Sequence, residues 1–192
     1  SDTPVIPRAI DNAPTVQANA IGAGSALFVE SNTDYIAVPD SANLSFGNGS
    51  TDNPFSITAW INMDDATAFR IITKGTYNTS GEWQFYVSGS SYLGLQLMDE
   101  SVADTYEYAN STSALTTDRW YHVACTYNGV GGTSANAGIK LYVDGVEQGY
   151  SLGGGGTYVA MENLGADVWI GRLESSYSDG NICQVGIWSS AL

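Results

Sequence analysis

Residues 119–150 read RWYHVACTYNGVGGTSANAGIKLYVDGVEQGY, and the alternation in this stretch decides the fold. In an extended chain successive side chains point to opposite sides, so Val123, Cys125 and Tyr127 share one face. IKLYV follows, and Asp144-Gly145 then separates it from VEQGY. A two-residue type I′ turn needs positive φ at both central positions, which Asp-Gly tolerates, so the runs predict an antiparallel hairpin.

The same punctuation extends outward. ALFVE, DYIAV, FSITAWIN, FRIITK, EWQFYV, YLGLQLM, DVWIGR and NICQVGIW each read as a strand bounded by Gly, Asn, Asp and Ser. Phe55, Ile57, Ala59 and Ile61 oppose Ser56, Thr58, Trp60 and Asn62, and Leu93, Leu95 and Leu97 oppose Tyr92, Gly94, Gln96 and Met98. About ten to twelve strands and no convincing helix are predicted. The expected shared core includes Ile57, Val123, Leu141, Val143 and Ile170, with Trp120 and Tyr127 as its large fillers. Gly153–Gly156 reads as a flexible loop, since a phosphate cradle needs a helix N-terminus and a nearby Lys. Residues 1–24 carry Pro4, Pro7 and Pro14 without alternation and read as an extended arm that lies on the domain or reaches a neighbour. Residues 25–192 read as one domain.

Composition agrees. A chain of 192 residues suits one well-buried domain, and 43% hydrophobic residues with 12 Tyr, 5 Trp and 5 Phe exclude disorder. Abundant Gly, at 22 residues, and only 14% charged residues suit strands and turns. Twenty acidic against six basic residues give a net charge of −14, which repels phosphate backbones and anionic bilayers. Nucleic acid is excluded as a partner, and no apolar run is long enough to span a membrane. The opening SDTPVIPRAIDNAP lacks a charged-then-apolar leader pattern.

Cys125 and Cys183 form no metal or redox motif and read as free thiols, a disulfide between them being the alternative. His122 has no partner arranged for catalysis and reads as a strand residue. Sequons at Asn43, Asn48, Asn78 and Asn110 matter only in a eukaryotic secretory pathway.

Taken in order, ALFVESNTDYIAVPDSANLSF, PFSITAWIN, ITKG, LTTDRWYHVACTYNG, IKLYVDGVEQG, VWIGR and GNICQVGIWSSAL resemble the successive signatures of the laminin-G-like, concanavalin A-like jelly-roll domains. The resemblance covers residues 26–192. It implies an all-β sandwich of two antiparallel sheets of about six or seven strands. Where many relatives carry Gly-x-Ile-Asp-Glu-Val near the end, this chain has Gly180-Asn181-Ile182-Cys183-Gln184-Val185. The first of those carboxylates contributes to a convex-side calcium site in relatives, so the resemblance implies that this site is lost. Asn32, Asp34, Asp179 and Asn181 supply other hard oxygens for a structural calcium, with solvated turns as the alternative. No cofactor is required.

Glycosidases of this class need two carboxylates on one face. The nearest approach is Asp99, Glu100, Asp104 and Glu107, read as a solvated hairpin edge, so no enzyme is expected. A sugar's C–H face stacks on a flat ring while its hydroxyls bond to short polar groups. Gln84, Tyr86, Tyr92, Gln96, Tyr106 and Tyr108 form the candidate binding face, with Tyr77, Asn78 and Tyr177 in rim loops. The alternative is that these rings only cover the sheet. The expectation is an extracellular, non-catalytic binding or adhesion module for a glycan or glycosylated surface. The competing expectation is a decoration, fibre or sheath subunit of a virion or cell surface, joined to copies of itself or other subunits through the arm.

Overall fold

The structure, a computed structural model, describes residues 15–17 and 24–192. Among these it forms sixteen strands: β1 (Thr15–Gln17), β2 (Ser25–Phe28), β3 (Ile36–Val38), β4 (Phe55–Met63), β5 (Arg70–Lys74), β6 (Trp83–Val87), β7 (Tyr92–Met98), β8 (Tyr106–Ala114), β9 (Trp120–Tyr127), β10 (Ile139–Val143), β11 (Val146–Glu147), β12 (Tyr150–Gly155), β13 (Val168–Ile170), β14 (Arg172–Leu173), β15 (Ser176–Tyr177) and β16 (Gly180–Trp188). One seven-stranded sheet has the order β1-β2-β16-β4-β9-β10-β11. The other has the order β12-β8-β7-β6-β5-β13-β3, and β14 and β15 make a separate hairpin. All pairings are antiparallel, and the helical content is three short 3₁₀ segments.

The core lies between the two sheets. Phe55, Ile57, Ala59 and Ile61 of β4 and Val123, Cys125 and Tyr127 of β9 are fully buried, and so are Trp83, Phe85 and Val87 of β6 and Leu93, Leu95 and Leu97 of β7. Each of the Val, Leu, Ile and Phe side chains among them contributes roughly 1.5–3 kcal/mol through removal from water. Aromatic rings fill one end: Phe46 stacks on Phe55 at 4.4 Å, and Phe55 meets Tyr127 edge-on at 5.8 Å. The Trp83 indole nitrogen donates to the Leu44 carbonyl at 3.0 Å, so burying it leaves no unmet donor. The β10–β11 hairpin pairs Val143 with Val146, and Asp144 and Gly145 have φ of 51° and 79°, as their turn requires.

Several expectations need correction. Tyr127 is in the core, but Trp120 is only half-buried. The two are seven residues apart on one regular strand, so they cannot point the same way. Val143 and Ile170 are partly buried against the core rather than inside it. The glycine run is strand for the most part: Gly153, Gly154 and Gly155 pair with Tyr108, Glu107 and Tyr106. Glycine is needed there for close approach, not flexibility. A Cβ at Gly153 would lie 2.4 Å from the Tyr108 ring, and one at Gly155 would lie 3.0 Å from the Tyr106 ring. β8 itself, YEYANSTSA, is too polar to stand out as a strand.

Cys125 and Cys183 are both buried thiols, not joined in a disulfide, and Cys125 faces Ile57 and Leu141 across neighbouring strands. Burial pushes both thiols up. In the predicted arm, residues 15–17 pair with Leu27, Ala26 and Ser25, so that part lies along its own domain. The rest of the arm, apart from Gly24, lies outside the described residues. No described helix is long and apolar enough to cross a membrane.

One buried charge cluster ties loops to the second sheet. Lys74 Nζ, fully buried, donates to Asp40 Oδ1 at 2.5 Å and to the Ala166 carbonyl at 2.7 Å, with Glu82 Oε1 at 3.5 Å. Glu82 is also fully buried and its Oε2 has no partner. Burial raises its carboxyl to about 7 against the opposing pull of the Leu164 amide and Lys74.

Candidate functional site

The outer face of the second sheet carries a cleft of about 350 Å³ lined by Tyr77, Gln84, Tyr86, Gln96, Tyr106, Tyr108, Leu173 and Glu174. Strand alternation builds it. Gln84 and Tyr86 are the outward residues of β6, and Gln84 lies opposite Gln96 of β7, which in turn lies opposite Tyr108 of β8. Gly94 lies opposite Tyr86, and a Cβ there would come within 2.8 Å of the ring. Three tyrosine rings, Tyr86, Tyr106 and Tyr108, therefore lie over glycines and close to the sheet surface.

The rings continue one another. Tyr106 and Tyr108 are near-parallel with centroids 6.2 Å apart, and Tyr77 meets Tyr106 edge-on at 5.9 Å. Burial raises the Tyr77 and Tyr86 hydroxyls to about 12, with neighbouring Tyr106 and Asp104 adding to the Tyr77 shift. Both stay neutral hydrogen-bonding groups at physiological pH. Tyr86 Oη donates to Asn110 Oδ1 at 3.0 Å, while Gln84 Nε2 donates to Gln96 Oε1. The floor is polar amide and the walls are aromatic.

Arg70 lies beside the floor. Its Nη1 donates to Gln84 Oε1 at 3.4 Å, its Nε to Ser176 Oγ at 3.3 Å, and its guanidinium stands 5.8 Å from the Tyr86 ring centre. It thereby ties the β14–β15 hairpin, which supplies Leu173 and Glu174, to the sheet. Arg172 props the same hairpin from its other side, 4.6 Å from both the Tyr35 and Trp169 rings and 5.5 Å from Tyr177. Thr73 Oγ1 adds a bond to the Arg172 carbonyl at 2.7 Å.

Six of the nine predicted binding residues line this one cleft: Tyr77, Gln84, Tyr86, Gln96, Tyr106 and Tyr108. Asn78 follows the lining residue Tyr77 but is not part of the lining; its Nδ2 donates to Asp104 Oδ1 and its Oδ1 accepts from the Asp104 amide, both at 2.8 Å. Tyr92 starts β7 opposite Ala114 and is not part of the lining. Tyr177 packs instead toward Tyr35, ring centres 6.3 Å apart. Arg70, Asn110, Leu173 and Glu174 were not foreseen. A bulge between Arg70 and Ile72 hides the outward position of Arg70 from period-two reading, and the β14–β15 hairpin is too short to show in sequence.

The acidic run is a solvated edge only in part, with Asp104 exposed and Glu100 half-buried. Asp99 and Glu107 are buried: Asp99 Oδ2 accepts from the Val159 amide at 2.9 Å, and Glu107 Oε2 accepts from Asn136. These carboxylates fasten loops at the end of the sandwich, which is why burial tolerates them. Of the calcium candidates, Asp34 spends Oδ2 on the Val29 amide at 3.1 Å, and Asn181 donates to Ser25 Oγ at 3.1 Å. Asp179 adds its charge to that of Asp118 in raising the Asp64 carboxyl, an effect led by burial. No described group of three or more His, Cys, Asp or Glu is arranged for a metal ion.

Two face-packed antiparallel sheets with an aromatic, amide-floored cleft on one outer face define a lectin-like jelly-roll domain. The chain belongs to the concanavalin A-like lectin/glucanases superfamily, whose laminin-G-type family model matches residues 30–192. A search of curated proteins found no match. Among solved structures, the chain is similar to domain 4 of AbnA, a GH43 extracellular arabinanase of Geobacillus stearothermophilus, in complex with arabinotriose. That match has 17% identity and a TM-score of 0.61, covering 93% of this chain and 77% of the other. The botulinum neurotoxin serotype G binding domain matches at 15% identity and TM-score 0.62, covering 94% and 43% respectively. Mouse laminin α1 domains LG4-5 match at 15% identity and TM-score 0.60, covering 95% and 45%. At these identities the likeness is one of fold.

Proposed function

We propose that this chain is a non-catalytic, extracellular module that binds a glycan in the tyrosine-lined cleft. The carrying observation is the cleft itself: Tyr77, Tyr106 and Tyr108 present adjoining rings above a floor of Gln84 and Gln96. Flat rings next to amide hydrogen-bonding groups match the two faces of a sugar, apolar C–H and hydroxyl. The arabinotriose complex of the AbnA domain supports a saccharide as ligand class for a sandwich of this kind. That domain's parent is an extracellular enzyme, which supports the same location here. The lining holds one carboxylate, Glu174, whereas glycoside hydrolysis by the common routes takes two.

A glycan array is the test. Binding that is lost together in Tyr106→Ala and Tyr108→Ala, with the fold intact, is the expected outcome. Binding that survives both substitutions removes the site from this cleft. No glycan binding, together with oligomers that depend on residues 1–24, would favour the surface-assembly building block instead.

A further inference from the structure

A guanidinium only donates hydrogen bonds. Arg70 Nη1 is 3.4 Å from Gln84 Oε1, so that oxygen is occupied as an acceptor and the Gln84 amide nitrogen points along the sheet. There it donates to Gln96 Oε1. With its oxygen taken, Gln96, a residue of the cleft lining, has Nε2 left to donate. Reversing Gln84 would set N–H groups against the guanidinium, and reversing Gln96 alone would set two amide nitrogens face to face. The direction of the chain is thus fixed at one end by a residue outside the lining.

We propose that Arg70 is a positioning residue that fixes the polarity of the Gln84–Gln96 chain, so that the floor presents an N–H donor, and that the cleft selects neutral over acidic saccharides. This rests on the glycan reading of the cleft. Selection follows from the charges. The guanidinium is engaged by Gln84, Ser176 and the Tyr86 ring, and the one charged residue in the lining is the acidic Glu174. A uronic acid or sulfated sugar would therefore meet the Glu174 carboxylate, while the nearby cation, Arg70, stands outside the lining and already faces Glu174, within a chain of net charge −14. A neutral sugar offers hydroxyl oxygens to Gln96 Nε2 and hydroxyl protons to Glu174.

The experiment uses one array carrying neutral oligosaccharides from arabinan, xylan, glucan and galactan beside uronic-acid-containing and sulfated ones, followed by titration of the strongest binder. Wild-type binding confined to neutral probes is expected, and strongest binding to an acidic probe overturns the selection. Gln96→Glu replaces the floor donor by an acceptor of the same shape. Its affinity should fall by at least about tenfold at neutral pH and recover in acid, where the protonated carboxyl can donate, while the wild type shows no such recovery. Arg70→Met frees the chain to reverse and should weaken binding several-fold without the acid recovery. Gln96→Glu binding equally at all pH values, with the wild-type near-UV CD spectrum, overturns the polarity argument. Loss of binding in Tyr106→Ala and Tyr108→Ala would still uphold the glycan reading in that case, and their indifference would sink that reading itself.

Discussion

Gly153→Ala separates the cleft from the fold. A Cβ at this position would sit 2.4 Å from both Cζ and Oη of Tyr108 and 2.8 Å from its Cε1. Carbon atoms in contact prefer about 3.5–4.0 Å, so the ring has to move outward by about 1 Å. The obstacle is the far end of a half-exposed side chain, and Gly153 is not among the glycines with positive φ, so the backbone need not strain. Alanine also reduces the freedom of the unfolded chain, worth about 0.4–1 kcal/mol, which offsets the ring displacement. Net stability should therefore stay within about 1 kcal/mol of wild type. A well-placed ring contact is worth about 0.5–1.5 kcal/mol, so losing the Tyr108 placement should weaken glycan binding about two- to twelvefold. Calorimetric titration with the strongest array binder, run beside urea denaturation, reads both quantities. Unchanged affinity would show that Tyr108 placement does not matter to binding, and collapse of the fold would show that the ring cannot yield.

Three further outcomes follow from the rest of the structure. Leu141→Ala, at a fully buried position opposite Cys125, should cost about 2–5 kcal/mol by urea denaturation, and a smaller loss would mean that the inter-sheet core relaxes around the cavity. The Glu82 carboxyl is raised from 4.5 to about 7, and Asp52, Glu100, Glu107 and Glu162 are also raised with burial as the leading cause, so the folded state holds protons more tightly than the unfolded. Their stabilisation is full below the unfolded values and is lost as pH rises through the folded ones, so the melting temperature should fall between about pH 5 and 8, with a shallower fall in Glu82→Gln; a rise over that range contradicts the sign. EDTA should leave glycan affinity unchanged, because the cleft lining has one carboxylate and no ion cage, and abolition of binding at a temperature where the protein stays folded would refute this.

Most of the fold was legible because one face of each central strand is apolar. The alternation of β4, β7 and β9 and the Asp144-Gly145 turn were read from residue type alone. What stayed hidden were elements whose reason is tertiary. Gly153–Gly155 has loop composition, and only the Tyr106 and Tyr108 rings above it explain a strand. The same holds for the cleft. Outward Gln and Tyr positions on β6 and β7 follow from period two, and Tyr106 and Tyr108 share a side in any extended segment even though β8 is too polar to stand out, so Gln84, Tyr86, Gln96, Tyr106 and Tyr108 could be grouped in advance. Arg70 could not, because a bulge resets its side, and Glu174 could not, because its hairpin is fixed by Arg172 among three aromatic rings drawn from separate segments.

Chemical-shift mapping of the ¹⁵N-labelled chain, titrated with the strongest neutral oligosaccharide from the array, tests the location and nature of the site together. The largest shifts should fall on Tyr77, the outward positions of β6, β7 and β8, and Leu173-Glu174. Shifts confined to the outer face of the opposite sheet, around Trp60 and His122, would place the binding site elsewhere and contradict the tyrosine-lined cleft as the functional surface.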